Sequence, residues 1–323
     1  MTNLSSIRLP VEKEIAAFEK HFSDSLDTQI PLLDTITNYL LRQKGKQIRP
    51  LFVFLTAKTL AEPTESTFHA ATFIELLHTA TLIHDDVVDE SYQRRNHFSI
   101  NAIWKSKVAV LVGDYFLSKG LLLSVKHKEF ELLEAISQAV REMSEGELMQ
   151  IQTSKKSILK VENYFEIIRK KTASLIASCC ACGAISVKAD EQTIEKMRQF
   201  GFYIGSAFQI KDDLLDYQEK DLIGKPKGND IKEKKYTLPF ILAVQNNQKE
   251  KSRILRLFNQ SHKPTETIEE ISKFVIDNNG IADSIKYMNE FRSKALDILS
   301  EFPDNEAKKS LILLVDYIIE RKH

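Results

Sequence analysis

The sequence contains two copies of one aspartate motif, each at the end of an apolar run. The residues from Asp85 to Asp89 read Asp-Asp-Val-Val-Asp, and those from Asp212 to Asp216 read Asp-Asp-Leu-Leu-Asp. On a helix, the first and last aspartates of a copy stand four positions apart and share one face. Their repulsion costs a few tenths of a kcal/mol, which a bound cation would offset.

A solvated acidic helix end is the ordinary alternative for a single motif of this kind. Here the chain is neutral, with 45 Lys plus Arg and 45 Asp plus Glu, and each copy encloses an apolar pair. Two copies facing one cavity would supply the hard oxygen ligands that suit Mg²⁺, which often bridges carboxylates to phosphates. The predicted metal ligands are Asp85, Asp86, Asp89, Asp212, Asp213 and Asp216.

Basic residues that could bind phosphate lie close to both motifs. Arginine offers a planar fork for bidentate contacts, and lysine offers a compact charge. Any one of them could simply be a solvated surface residue. Their positions around both acidic motifs favour a diphosphate site, and the residues concerned are Lys46, Arg49, Arg94, Arg95, Lys170, Lys171, Lys225 and Lys235.

The elements that must position these groups are predicted to be helices. Apolar residues recur at helical spacing, as at Leu132, Ile136 and Val140, and strand-like alternation is hard to find. The 10 glycines and 8 prolines among 323 residues are roughly half the usual share, which disfavours a turn-rich β fold. No long low-complexity linker interrupts the pattern, so we expect one all-α domain over residues 1–323, with the motifs in a core of about 45–240.

Composition also sets expectations about environment and partners. The zero net charge gives no sign of a nucleic-acid or anionic-membrane partner. The start of the chain lacks the apolar run of a signal peptide, and the longest uncharged stretch, Thr172 to Val187, is shorter than the roughly 20 residues of a membrane span. Cys179, Cys180 and Cys182 are bunched on one segment and form no disulfide framework. We expect a cytoplasmic protein without stable membrane insertion.

Seven ordered signatures resemble the trans-prenyl diphosphate synthases, also called polyprenyl synthetases. They are Gly45 to Pro50, His78 to Glu90, Arg94-Arg95, Val112 to Asp114, Lys171-Thr172, Phe208 to Asp216 and Gly224 to Lys235. One departure is Asn96, where the family usually has glycine after the paired arginines. The resemblance implies an orthogonal helical bundle of the isoprenoid synthase fold around a central cavity.

The resemblance also implies the reaction. It is the Mg²⁺-dependent head-to-tail 1'-4 condensation of isopentenyl diphosphate with an allylic diphosphate, in a homodimer with three Mg²⁺ ions per active site. The six aspartates would hold those ions. The implied roles of the other residues are positive charge toward the allylic diphosphate from Arg94, Lys171, Lys225 and Lys235, binding of isopentenyl diphosphate by Lys46, Arg49, His78 and Arg95, and contact with the developing cation by Thr172 and Gln209.

Product length is predicted from the helix that carries the first motif. One turn before Asp85 are the small residues Ala80 and Thr81, with Leu77 one further turn back. Short-chain members of the family often carry an aromatic there, so the tunnel should continue to a deeper floor, possible at Phe116. By resemblance we expect a product of about C25 to C40 for quinone side chains.

Three other functions are compatible with parts of the pattern. A short-chain farnesyl or geranylgeranyl diphosphate synthase would share every motif and differ in tunnel depth. A class I terpene cyclase normally has a second metal motif of Asn/Ser/Glu type and needs no second diphosphate site. A non-catalytic partner subunit should have degraded metal ligands, whereas all six aspartates are present here.

Overall fold

The structure is a computed structural model that describes residues 4–43, 45–94, 97–217 and 228–320. Almost all of these residues are helical, which confirms the predicted all-α class. The first half contains α1 Leu4–Arg8, α2 Glu12–Ser25, α3 Pro31–Arg42, α4 Ile48–Leu60, α5 Glu65–Val88, α6 Ile100–Lys126 and α7 Phe130–Lys156. The second half contains α8 Val161–Ile168, α9 Ser174–Ser186, α10 Glu191–Leu215, α11 Asn229–Lys232, α12 Leu238–Asn246, α13 Lys251–Phe258, α14 Thr265–Asp277, α15 Gly280–Ser300 and α16 Glu306–Glu320.

Short irregular elements connect some of these helices. A 3₁₀ turn, Leu9–Val11, joins α1 to α2, and a π-helical segment, Arg169–Ala173, joins α8 to α9. After α5 the chain forms a two-stranded antiparallel ribbon of β1 Gln93–Arg94 and β2 His97–Phe98.

Helices α4 and α9 lie at the centre of the largest apolar cluster and are buried on nearly every side. Helix α9 is rich in alanine, serine and cysteine, so neighbouring helices can approach it closely. A Cβ atom on Gly201 of α10 would lie only 2.5 Å from the Cα of Ala177 in α9. The small side chains therefore set the spacing between α9 and α10, the helix that carries the second aspartate motif.

The three cysteines lie on α9, and all are buried and free. Burial raises the pKa of Cys180 and of Cys182 to about 12, so both are neutral thiols. They are small core residues.

Helix α5 packs along α6, and a second apolar cluster lies between them. By length and composition, α6 could span a membrane, although only a third of its most apolar window is buried. Core helices of soluble proteins pass the same test, so this is weak evidence. The sequence alone did not indicate a possible membrane span here, because the charged residues Asp114 and Lys119 interrupt the apolar stretch.

Candidate active site

The first aspartate motif occupies the last turn of α5. The helix ends at Val88, and Asp89 caps it by donating its backbone N–H to the Asp85 carbonyl at 2.8 Å. Asp86 is buried, and its carbonyl accepts hydrogen bonds from the Ser91 N–H and the Asn101 amide. The side chains of Asp85 and Asp89 are exposed. Because the C-terminal end of a helix carries partial negative charge, three carboxylates there are unfavourable without a cation.

The second motif ends α10 in the same way. Asp213 is buried, and its two carboxylate oxygens accept hydrogen bonds from the Tyr164 hydroxyl at 2.7 Å and the Gln209 amide at 2.9 Å. Burial raises the pKa of Asp213 to about 7, with a further increase from the charge of Asp230, although the two hydrogen bonds oppose it. The ionised form of this carboxylate is therefore disfavoured chiefly by burial, and secondarily by the nearby charge of Asp230.

Asp216 is fixed by the start of α11. Its two carboxylate oxygens accept the backbone N–H groups of Asn229 at 3.0 Å and Asp230 at 3.1 Å. Burial, followed by the charges of Asp216 and Glu233, raises the pKa of Asp230 to about 6 despite the nearby Lys235. Asp230 is therefore a seventh carboxylate beside the second motif, supplied by a separate helix.

Lys235 interacts electrostatically with Asp89 of the first motif and with Asp230 beside the second. Burial lowers its pKa, but the carboxylates of Glu233, Asp230 and Asp89 outweigh that effect and raise it overall. Its ammonium lies 2.5 Å from Glu233. A cation that responds to Asp89 of the first motif and to Asp230 beside the second is well placed to contact an anion held between them.

Lys171 and Thr172 lie on the π-helical segment before α9. Such segments are rare and often occur at functional sites. The Thr172 hydroxyl donates to the Gln209 amide oxygen at 2.7 Å, and the Gln209 amide nitrogen donates in turn to Asp213. The Lys171 ammonium contacts Glu147 and the Gln150 amide oxygen on α7.

A glycine on α7 makes room for this segment. A Cβ atom on Gly146 would lie 2.6 Å from the backbone nitrogen of Lys171, so a larger residue would displace the turn that holds Lys171 and Thr172.

Two cavities adjoin the motifs. The larger has a volume of about 840 Å³, which lies in the upper part of the range of roughly 300–1,000 Å³ for ligand sites. The smaller, of about 190 Å³, is bordered by Asp213, Asp230 and Lys235. Lys171 and Thr172 line both. The larger cavity also contacts Asp85, Asp86, Lys46, Arg49 and His78, along with many apolar side chains.

The sequence predictions for Lys46, Arg49 and His78 converge on one wall of the larger cavity. Arg49 is the second residue of α4, and Lys46 comes just before the helix, where its ammonium lies 5.5 Å from the centroid of the Tyr317 ring. Helix N-termini attract anions because their N–H groups are unpaired and the helix dipole is positive there. This wall is therefore suited to a second anionic group.

The predicted tunnel residues do not line either of these cavities. The wall that α5 contributes includes Glu75, Thr79 and Leu82, on the opposite side of the helix from Leu77. Leu77 lies in the main core. Ala80 lies in the second cluster with Ile83 and Phe116, both of which do line the cavity, so Ala80 is one layer behind the wall.

Some predicted site residues cannot be placed. Arg95, Asn96 and Lys225 lie outside the described residues, and for Arg94 the backbone is described but the side chain is not. His84, at the end of α5, is hydrogen-bonded to the Val110 carbonyl at 3.2 Å.

Several residues near the site were missed at the sequence level. Tyr164 and Gln150 lie on α8 and α7, and Tyr317 lies on α16 near the end of the chain. None belongs to a spaced motif. These residues reach the carboxylates and Lys46 only because helices that are far apart in the sequence pack together.

A helical fold with two aspartate motifs, flanking basic residues and a deep, largely apolar cavity defines an enzyme class that handles diphosphates of apolar chains. Residues 30–275 match the sequence model described as "Polyprenyl synthetase". The chain therefore belongs to the polyprenyl synthetase family and is a prenyltransferase.

Individual relatives match over almost the whole chain. The all-trans-nonaprenyl-diphosphate synthase (geranyl-diphosphate specific) of Rhodobacter capsulatus is 33% identical over 320 residues, covering 98% of this chain and 97% of that one. A decaprenyl diphosphate synthase structure from the same organism has a TM-score of 0.93 at 29% identity, covering 99% of this chain and 100% of that one.

Two further solved structures bear on ligands and product length. The polyprenyl synthase of Caulobacter crescentus CB15, complexed with calcium and isoprenyl diphosphate, has a TM-score of 0.90 at 28% identity and covers 100% of this chain and 99% of that one. The geranylgeranyl pyrophosphate synthase of Bacteroides thetaiotaomicron has a TM-score of 0.84 at 34% identity and covers 98% of this chain and 99% of that one.

Proposed function

We propose that this prenyltransferase condenses isopentenyl diphosphate with an allylic diphosphate, head to tail, to give a trans-polyprenyl diphosphate of about C25 to C40. The single observation that carries the proposal is the pairing of two anion-binding walls at one cavity. Asp85, Asp86 and Lys171 line this cavity, and Lys46, Arg49 and His78 line it as well. A terpene cyclase, with one diphosphate substrate, would have no use for the second wall.

The carboxylates fit divalent magnesium. The donor set is oxygen only, two motifs occupy the negative ends of helices, and the pKa of Asp213 is raised by burial first and then by Asp230, so the site needs added positive charge. Asp85, Asp86, Asp89, Asp212, Asp213 and Asp216 would hold the ions. Bound Mg²⁺ would supply charge that stabilises the departing pyrophosphate. The calcium and isoprenyl diphosphate in the Caulobacter relative support this assignment.

The chain's own residues then handle the separation of charge. When the allylic carbon–oxygen bond breaks, Lys171 and Lys235 face the negative leaving group, and preorganised cations of this kind are typically worth a few kcal/mol. The Thr172 hydroxyl donates to Gln209, which leaves its oxygen lone pairs available toward the cationic carbon. The isopentenyl double bond forms the new carbon–carbon bond, and the departing pyrophosphate accepts the proton whose loss restores a neutral alkene.

The wall at the start of α4 would hold isopentenyl diphosphate. Arg49 lies in the first turn of the helix, so its guanidinium and the helix dipole attract the same anion. Tyr317 packs against the Lys46 ammonium and limits where it can move. This arrangement would place the second diphosphate on the other side of the reacting carbons from the carboxylates.

Product length would be set by the apolar end of the cavity. Phe116 and Ile83 form part of its wall, with Ala80 directly behind them in the same cluster. The volume of the cavity and the long-chain names of the Rhodobacter relatives favour a long product. A short-chain product is the second candidate, because a geranylgeranyl pyrophosphate synthase is 34% identical to this chain.

The test is a product assay with purified protein, Mg²⁺, labelled isopentenyl diphosphate and farnesyl diphosphate. The wild type should give products of about five to eight isoprene units. Phe116→Leu should lengthen them because it removes part of the wall, and Ala80→Phe should shorten them because a larger side chain pushes Ile83 and Phe116 into the cavity. Tyr115→Leu is the matched control, since Tyr115 packs in the same cluster but does not line the cavity.

Products that stop at C15 or C20 would leave the reaction intact but refute the long-chain assignment. An unchanged chain-length distribution in both the Phe116→Leu and Ala80→Phe variants would place the floor elsewhere.

We propose that the protein forms a homodimer through the exposed face of α6. This face carries a row of exposed apolar side chains, interrupted by Lys107, Asp114 and Ser118, and α7 carries two more, which is unusual for a surface that faces water. They are Ile103, Val110, Leu111, Leu121, Leu122 and Val125 on α6, and Leu148 and Ile151 on α7. A second copy of the chain would cover this row with the same row, as two-fold dimers do.

Leu122→Lys should convert the dimer to a monomer because Leu122 is 66% exposed within this row and a buried lysine would be unpaired. Sedimentation velocity gives the mass directly. Ile276→Lys is the matched control, since Ile276 is 54% exposed on α14 and lies outside the row. A wild-type monomer, or a dimer that survives Leu122→Lys, would contradict the proposal.

A further inference from the structure

A second cluster of ligand-type side chains lies at the opposite end of α5 from the aspartates. Glu65 and His69 are on the first turns of α5, and His127 follows the end of α6. One ligand atom of each lies within 4.8 Å of those of the other two. At a rise of 1.5 Å per residue, His69 is roughly 24 Å along the helix from Asp85, so this cluster is separate from the active site.

The hydrogen bonds of His69 leave one ring nitrogen directed into the cluster. Its Nδ1 lies 3.0 Å from a carboxylate oxygen of Glu129. A carboxylate only accepts hydrogen bonds, so Nδ1 carries a proton, and Nε2 is the ring nitrogen on the side of the cluster. That Nε2 faces a carboxylate oxygen of Glu65 at 3.9 Å.

His127 completes the group. The ring centroids of His69 and His127 are 4.0 Å apart. His21 lies at the edge, with its Nδ1 hydrogen-bonded to the Thr72 hydroxyl at 2.8 Å.

We propose that Glu65, His69 and His127 bind a divalent transition-metal ion of the Zn²⁺ type. Two imidazoles and one carboxylate are a common zinc donor set, with water in the remaining position. Imidazole ligands disfavour Mg²⁺, so this site and the aspartate site select different ions. Glu129 would hold the His69 ring in the correct tautomer, as carboxylates beside metal-bound histidines commonly do.

The role of this metal would be structural. The ion joins the start of α5 to the end of α6, and Glu129, just before α7, is tied to the same site through His69. An ion that binds only the folded chain stabilises it, by an amount that grows with the logarithm of the ion concentration above its Kd. Catalysis should not depend on this ion, because the cluster touches neither cavity.

The test measures Zn²⁺ uptake by the full chain during equilibrium dialysis in the low micromolar range, with excess Mg²⁺ to occupy the aspartates. Wild type should bind about one ion per chain more than His127→Gln or Glu65→Gln. His262→Gln is the matched control because His262 is exposed and outside the cluster, and it should bind like the wild type. Zn²⁺ should also raise the midpoint of thermal unfolding by a few degrees only in wild type and His262→Gln.

Equal uptake by wild type and His127→Gln would overturn the proposal, as would no uptake by the wild type. Glu65 is on the surface, so Glu65→Gln should fold even if His127→Gln does not. The Zn²⁺ uptake of Glu65→Gln, compared with that of the wild type, then tests the proposal by itself. Co²⁺ provides a second readout, because its visible absorption should change on binding to wild type and not to either cluster variant.

Discussion

Replacing Asp85 or Asp212 with asparagine is expected to lower kcat by at least about 100-fold, while the helix content stays the same. Each side chain lies at the negative end of a helix and within a predicted metal-binding motif, so we expect its charge to serve catalysis rather than stability. Loss of one preorganised charge at a developing anion typically costs roughly 10² to 10³ in rate. Steady-state kinetics with saturating substrates measure the loss, and circular dichroism measures the fold.

Asp277→Asn is the matched control. Asp277 is an exposed aspartate that ends α14, so it shares the helix position but not the motif. Removing its charge should leave kcat unchanged and slightly stabilise the helix. Wild-type turnover in both Asp85→Asn and Asp212→Asn would refute the metal assignment.

Arg49→Gln is expected to raise the KM for isopentenyl diphosphate by about 10- to 150-fold and to change the KM for the allylic substrate much less. The estimate follows from the loss of one charge-assisted hydrogen bond, worth about 1.5–3 kcal/mol, at 1.36 kcal/mol per tenfold change. The specificity for one substrate follows from the proposed assignment of isopentenyl diphosphate to Lys46, Arg49 and His78 and of the allylic diphosphate to the aspartates. Initial rates with each substrate varied separately distinguish the two constants.

The control for this variant is Arg42→Gln, because Arg42 is exposed in the last turn of α3 and does not line the cavity. An equal rise in both KM values for Arg49→Gln would show that Arg49 serves the two diphosphates alike. A rise in the allylic KM alone would reverse the proposed assignment of the two walls.

Much of the fold class and the family could be predicted because the relevant signals are local. Helical periodicity depends on residues within a few turns, and each aspartate motif lies within five consecutive positions. The family signatures are likewise short segments in a fixed order, and they identified the same helix ends where the structure places Asp85, Asp86, Asp212 and Asp213. The roles of the individual residues stay predictions until the variants are measured.

The prediction of the tunnel depends on a feature that local spacing does not determine. Small residues one turn before Asp85 were expected to face the cavity, but α5 turns Glu75, Thr79 and Leu82 toward it. Helical spacing indicates which residues share a face, but not which neighbour that face contacts. The rotation of α5 about its axis is fixed by its packing against α6, where Ala80 lies beside Phe116.

The sequence alone determined which chemical groups are present and the helices on which they lie, because both depend on short-range spacing. The tertiary structure decided their surroundings. Tyr164 reaches Asp213 from α8, the start of α11 fixes Asp216, and the end of α6 brings His127 to His69. These contacts join residues far apart in the chain, and they arise only when helices pack at particular angles and distances, which no local pattern encodes.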